Sequence, residues 1–320
     1  MAKKHIETEI NYNEPPKNIR MRPYYIIAPG MIILIGILIP FITAILLSLT
    51  NASYRIPIEQ WRFNWFRNWL SFDRYDGKLV LGGMLGNPDF YHAVMITLIY
   101  AISSTGTELL LGMGIAFLLR KDTLYSRILK VALMFPLMVA PAIAVLIWQL
   151  MISNSVGIVE KFLNIFGLFN FPWAASHKTA MFTVVMIDAW VNTPFILLLV
   201  LAGIQSLPKS PFEAAQVDGA GAWFTFRTLT LPMLKPFIYI ALLFRSMAAL
   251  QEFGIIFALT KGGPGNSLMN ISLTSYLTAF TYQQPGKALP YLLMLWLIVN
   301  ITAKRLVEKQ RKYAKEAAGL

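Results

Sequence analysis

The sequence has no cysteine, only three histidines and few charged residues. Of its 320 residues, 14% are charged, which is too few to cover the surface of a soluble domain of this length. The absence of cysteine excludes disulfides, thiolate metal sites and cysteine nucleophiles. His5, His92 and His177 are far apart and show no ligand spacing, so no metal site is predicted.

What the chain has instead is long apolar runs. Hydrophobic residues make up 56% of the sequence, and runs of about 20 apolar residues cross a bilayer as helices. The pattern predicts an all-α integral membrane protein with a domain at 24–306, a preceding segment at 1–23 that remains attached, and a tail at 307–320. The six predicted spans are 24–49, 92–119, 128–152, 181–204, 236–259 and 287–306.

The distribution of Lys and Arg predicts the orientation. With the amino terminus inside, the inner side receives 18 basic residues and the outer side nine, while Arg245 falls within a span. Basic residues collect in cytoplasmic loops, so both termini are expected in the cytoplasm. The loop at 50–91 is then external and the loop at 205–235 cytoplasmic. The net charge of +12 therefore indicates membrane topology, and nucleic-acid binding is not predicted.

The external loop carries a cluster of aromatic residues whose role the sequence leaves open. Trp61, Trp65, Phe66 and Trp69 fall within nine residues. An interfacial aromatic belt at headgroup depth is the favoured interpretation. A contact surface for an external partner is the alternative.

The loop between spans four and five has a pattern unlike the others. Pro208 and Pro211 precede Phe212, where a fixed φ suits a helix start. Glu213, Ala214 and Ala215 favour continuing that helix, and Gly219 and Gly221 favour ending it. A second short segment with Trp223, Phe224, Phe226 and Leu229 then leads to span five. The pattern predicts a helix–turn–helix with an apolar face, which either lies on lipid or docks into a groove of a protein.

The same residues carry a resemblance to a known family. Glu213-Ala214-Ala215, Asp218-Gly219-Ala220, Leu229 and Leu231-Pro232 resemble the EAA loop of permease subunits in binding-protein-dependent ABC importers, with Leu229 where the family usually has Ile. The resemblance implies a coupling helix held by an ATPase subunit. The residues that would form this contact are Glu213, Ala214, Ala215, Asp218, Gly219, Ala220, Leu231 and Pro232.

Three shorter stretches resemble, less specifically, motifs of the carbohydrate permeases in that family. They include the turn at 260–264, the run at 190–195, and Asn68-Trp69 before span two. The resemblance implies a type I importer permease fold in the bacterial inner membrane. It also implies a second permease, expected to form a heterodimer with this chain, two ATPase subunits that bind ATP and Mg, and an extracytoplasmic sugar-binding protein. No cofactor is expected on this chain, since it lacks a phosphate-binding loop.

Polar residues inside the predicted spans are the candidates for a substrate path. A charge at mid-bilayer costs about 2.5–3.5 kcal/mol, so it faces protein or water. A hydrophilic cavity for sugar hydroxyls and a bracing pair between Asp188 and Arg245 both explain these residues. Glu108 is interpreted as structural. The candidates for the path are Asp188, Trp190, Asn192, Arg245 and Glu252.

Two other classes of function are weighed against the importer subunit. An ion-coupled secondary transporter often shows repeated halves, and no repeat is visible here. A membrane-embedded enzyme is the other alternative, and the sequence shows no nucleophile, metal site or carboxylate constellation that would support it. The expected substrate is an oligosaccharide, and Arg245 within a span allows an acidic sugar.

Overall fold

The computed structural model describes residues 17–75, 78–167 and 170–317. Residues 1–16 of the predicted segment 1–23 therefore lie outside the described residues. Within them the chain forms thirteen α-helices and one hairpin of two strands. The helices are α1 (Lys17–Ser48), α2 (Gly83–Gly86), α3 (Pro88–Leu118), α4 (Leu124–Met134), α5 (Pro141–Met151), α6 (Ile158–Ile165), α7 (His177–Ser206), α8 (Ser210–Val217), α9 (Ala222–Thr225), α10 (Leu231–Leu250), α11 (Gly254–Thr260), α12 (Ile271–Tyr276) and α13 (Pro285–Ala317), and the strands are β1 (Ser71–Tyr75) and β2 (Lys78–Gly82).

Five described helical runs are long and apolar enough to cross a membrane, and one bent helix pair can supply a sixth span. This confirms the predicted all-α membrane fold, to which the small antiparallel hairpin in loop 50–91 is an unpredicted addition. The described residues form two compact units, divided between Leu47 and Ser48. The first contains α1 up to Leu47, and the second contains all the sites discussed below.

The third predicted span, 128–152, falls on the bent helix pair and is not one straight helix. A 3-10 turn at Phe135–Met138 follows α4, and Ala140 is extended before α5 begins at Pro141. Proline disfavours the helical conformation for the residue before it, which explains the break at Ala140. The two parts meet at a bend of 105°.

The fifth span begins and ends earlier than predicted: its helical run covers Ala222–Leu250, and α10 ends at Leu250 rather than continuing to 259. Side chains at the start of α12 bind the carbonyls that follow α10: Asn270 donates to Glu252 O at 2.5 Å, and Ser272 donates to Gln251 O at 3.2 Å. The Glu252 carboxylate accepts from Ile255 N at 2.7 Å at the start of α11. Irregular backbone is tolerated at membrane depth where protein satisfies its polar groups.

The core lies between α3, α7, α10 and α13. Fully buried residues from these helices include Ala93, Val184 and Ala249. In the first half of α10, Tyr239 stacks on Tyr313 of α13 with ring centroids 5.0 Å apart, and Lys235 lies 4.7 Å from the centroid of the Tyr313 ring. The predicted span 287–306 therefore continues as helix through most of the predicted tail.

Helices α3 and α7 pack closely because Gly112 has no side chain. A Cβ atom there would lie 2.9 Å from Ile196 Cγ2 and 3.0 Å from Leu197 N. The backbone of α7 cannot move away without disturbing its other contacts, so overpacking is expected.

We expect Gly112→Ala to lower the free energy of unfolding by about 1–3 kcal/mol, measured as thermal unfolding of the full chain in detergent. Gly114→Ala on the same helix is the control, since a Cβ there meets nothing within 4 Å. That control should be neutral or slightly stabilising, because alanine is the better helix former. Equal stability of the two variants would contradict the close packing.

Candidate functional site

The predicted helix–turn–helix between spans four and five is present as α8, a turn and α9. Gly219 has φ +73°, a left-handed conformation that glycine adopts without steric cost. Its N–H donates to Gln216 O at 3.2 Å, and the next N–H, of Ala220, donates to Ala215 O at 2.9 Å. These two bonds form a Schellman motif, which ends α8 and turns the chain.

No side chain of α8 is buried within this chain. Glu213, Ala214 and Asp218 are exposed. Val217 is 88% exposed, and Trp223 and Phe224 on α9 are also largely exposed. Exposed apolar residues concentrated on one short element form a surface that either lipid or another protein covers, the two alternatives given by the sequence.

The segment 210–230, which contains α8, α9 and a π-helical turn and is called the coupling segment after its predicted role, is connected to the bundle. The Ala222–Leu250 run is helical over 29 residues and includes α9, a π-helical turn and α10. Phe226 in the π turn packs against Phe117 of α3, with ring centroids 5.2 Å apart. Leu231 and Pro232 are half-buried at the start of α10. The turn after α8 leads into this run, so α8 is connected to α10 through α9 and to α3 through Phe226.

A buried ion cluster joins three helices at the centre of the bundle. Arg245 of α10 forms salt bridges with Glu108 of α3 and Asp188 of α7. One guanidinium nitrogen, Nη2, lies 2.8 Å from Glu108 Oε1 and 3.1 Å from Ser104 Oγ. Both carboxylates are 0% exposed and Arg245 is 4% exposed. Every charge in the cluster thus has an ionic or hydrogen-bonding partner.

Asn192 completes this cluster from α7. Its side-chain amide donates to Asp188 Oδ1 at 2.7 Å, so the two residues share a helix face as their spacing predicts. The alternative that Asp188 pairs with Arg245 agrees with this geometry. Sequence reasoning missed that Glu108 is the second partner, although Ser104 and Glu108 stand one turn apart on one face of α3. In this conformation Arg245 is enclosed by protein, so its charge gives no support for an acidic sugar.

Trp190 lies apart from the ion cluster and lines a cavity of about 530 Å³. Its ring meets Trp148 edge to face, with centroids 5.9 Å apart. Two polar atoms in this lining, Trp148 Nε1 and Thr193 Oγ1, are buried with no hydrogen-bond partner among the described residues. An unpaired buried donor is costly unless a ligand or water meets it. The remaining lining is mostly apolar and includes Leu111, Phe182 and Met186.

The fifth path candidate, Glu252, is half-buried at the break after α10. Its carboxylate is engaged by the Ile255 N–H, so part of its role is local capping.

Comparison with known proteins matches these features to one family. The model of the family described as "Binding-protein-dependent transport system inner membrane component" matches residues 108–306. The trehalose/maltose transport system permease protein MalF of Thermococcus litoralis is 32% identical over 264 residues, covering 82% of this chain and 83% of that protein. The sn-glycerol-3-phosphate transport system permease protein UgpA of Pectobacterium atrosepticum is 30% identical over 236 residues, covering 72% and 79%.

A solved structure shares the fold. A chain from the crystal structure of a bacterial alginate ABC transporter, in complex with an alginate pentasaccharide-bound periplasmic protein, superposes with a TM-score of 0.72 at 19% identity. The match covers 92% of this chain and 96% of that chain. The chain therefore belongs to the family of inner membrane components of binding-protein-dependent transport systems.

Proposed function

We propose that this chain is the permease subunit of an ATP-driven importer that moves an oligosaccharide into the cytoplasm. The observation that carries the proposal is α8: a short helix with no buried side chain, ended by a left-handed glycine and followed by exposed aromatic residues. Relatives named for trehalose/maltose and for sulfoquinovosyl glycerol transport support a carbohydrate substrate. The family match disfavours an ion-coupled secondary transporter. Such a transporter has no ATPase subunit, so α8 would have no role in it.

The proposed assembly contains a second permease as a heterodimeric partner, two ATPase subunits and an extracytoplasmic sugar-binding protein. ATP and Mg are bound by the ATPase subunits, which supply the energy. Both termini of this chain face the cytoplasm, following the 18-to-nine distribution of basic residues. Residues Glu213, Ala214, Ala215, Asp218, Gly219 and Ala220 form the ATPase contact, and Leu231 and Pro232 anchor it to α10.

The mechanism follows from the connections within the chain. Movement of the ATPase subunits displaces α8, and the continuous helical run transmits this displacement to α10. Arg245 binds α10 to α3 and α7, so these three helices move as one body. Access to the bilayer centre then alternates by motion of this body against the second permease.

The substrate path is proposed to pass the cavity beside Trp190. Aromatic faces pack well on the apolar faces of sugar rings, and the Trp148 N–H and Thr193 hydroxyl are free to bind sugar oxygens. Asp188, Asn192, Arg245 and Glu252 contribute to this path by holding the helices that frame it.

Gly219→Ala is expected to abolish most ATP-driven uptake in the complete transporter reconstituted in vesicles. A side chain at φ +73° costs about 1–2 kcal/mol, which unwinds the turn that presents α8. Gly221→Ala is the matched control, because Gly221 has φ −66° and open space for a Cβ. Full uptake by Gly219→Ala would contradict the role of the turn.

A second variant separates docking from local folding. Val217 is 88% exposed, so Val217→Asp should leave the stability of the isolated chain unchanged. If Val217 is covered by the ATPase, this variant should lose co-purification of the ATPase subunit. Retention of the ATPase at wild-type level would count against α8 as the contact.

The ion cluster is tested by neutralising it in steps. Arg245→Met leaves two buried carboxylates without their cation and should destabilise the chain by about 3–5 kcal/mol. The triple variant Glu108→Gln, Asp188→Asn, Arg245→Met removes all three charges and should recover most of that stability. Recovery of uptake together with stability indicates a brace, whereas recovered stability with lost uptake would assign Arg245 to the substrate.

Thr193→Val tests the cavity beside Trp190. Removing an unpartnered buried hydroxyl should leave thermal stability equal or higher, while the KM for uptake of maltotriose rises several-fold. Thr105→Val is the matched control, since Thr105 Oγ1 is also buried and unpartnered but does not line the cavity. An unchanged KM in Thr193→Val, or an equal rise in Thr105→Val, would remove the cavity from the path.

A further inference from the structure

A second and larger cavity lies at the far end of the bundle from α8. Its volume is about 720 Å³, and its lining includes Asn87, which precedes α3. The other end of α3 carries Phe117, which contacts Phe226 of the coupling segment. Since α3 has 31 residues and is about 46 Å long, the cavity and the coupling segment are separated by a membrane thickness. In the proposed orientation the cavity opens to the outside.

The lining of this outer cavity is rich in polar side chains. Amide side chains, which both donate and accept hydrogen bonds, recur along it, together with hydroxyl groups and two tyrosines. The amide residues are Asn51, Asn64, Asn68, Asn87 and Gln284, the hydroxyl residues are Thr50, Ser53, Ser71 and Thr278, and the tyrosines are Tyr282 and Tyr291.

The walls of the cavity are held in place by hydrogen bonds between distant segments. Gln283 O accepts from Tyr54 N and from Ser53 Oγ, each at 2.9 Å. The Asn68 amide donates to Ser48 O at 2.9 Å and to Thr50 O at 2.6 Å. A site whose walls are already ordered loses less entropy when it binds a ligand.

The cavity carries an excess positive charge. Arg67 is paired with Asp73 at 3.0 Å, and hydrogen bonds from Ser71 and Arg67 hold the pKa of Asp73 below its ordinary value. Lys287 also lines the cavity, and among the described residues no carboxylate lies within salt-bridge distance of it. Of the two cations in this lining, Arg67 has a carboxylate partner, and Lys287 has none within the part of the chain that the structure describes.

We propose that this outer cavity is a binding site for an acidic carbohydrate, with Lys287 meeting the sugar carboxylate and Tyr282 packing on a sugar ring. The inference rests on the proposed function for its carbohydrate class and its outward orientation. Lipid tails cannot form hydrogen bonds with the amide and hydroxyl groups of this lining. A volume of about 720 Å³ lies within the range of small-molecule sites and accommodates a short oligosaccharide. The site would hold substrate before it enters the membrane.

The test measures binding of trigalacturonate and of maltotriose, its neutral counterpart, to the full chain in nanodiscs without a binding protein. We expect wild type to bind trigalacturonate more tightly, and raising the salt from about 0.05 to about 0.5 M should reduce this preference. Lys287→Gln should weaken trigalacturonate binding about tenfold, as expected for one charge-assisted hydrogen bond, and leave maltotriose binding unchanged. Lys287→Arg should retain the preference.

Lys178→Gln is the control, because Lys178 is an exposed lysine outside this lining. Absence of trigalacturonate binding by wild type, or equal weakening in both glutamine variants, would overturn the site. If Lys287→Gln instead leaves trigalacturonate binding intact and weakens docking of the binding protein, the cavity is a protein contact and the inference is wrong. Failure of the proposed function is a separate result, seen as absence of ATP-driven uptake by the complete wild-type transporter.

Discussion

The charge of Arg245 is the constraint on which the bundle depends. A guanidinium does not lose its proton, so at this depth it needs partners on neighbouring helices. Glu108 and Asp188 supply them from α3 and α7. Ser104 also donates to Glu108 Oε1, and Asn192 donates to Asp188 Oδ1, the carboxylate oxygen that Arg245 does not bind. Breaking one of these contacts leaves a charge in a medium of low dielectric. The three helices therefore keep a fixed register, which packing of aliphatic side chains alone specifies less strictly.

The coupling segment shows the opposite arrangement. Its side chains are exposed, and its shape comes from backbone bonds at one turn. A buried brace suits helices that must move together, and an exposed helix suits a contact made with another chain. The Phe117–Phe226 contact and the unbroken helical run connect the two regions.

Local chemistry in the sequence was sufficient for some of these features. Gly219 after a helix of good formers predicts the turn, and four-residue spacing predicts that Asp188 and Asn192 share a face. Contacts between helices were harder to predict, because periodicity gives a direction around one helix and not the level at which two helices meet. Glu108 was therefore not recognised as a partner of Arg245. Pro141 was a local signal for the break in the third span, but the end of α10 depends on Asn270 and Ser272, about twenty residues away.

The last helix has a further consequence through its length. Its 33 residues extend about 50 Å, whereas the hydrocarbon layer is about 30 Å thick. The surplus turns are packed against α10, because Tyr313 stacks on Tyr239 and Lys235 lies over the Tyr313 ring. A fluorescent protein or affinity tag joined rigidly after Ala317 would thus be attached to α13, whose last turns pack against the first half of α10. Its orientation would report on the tilt of that helix during transport.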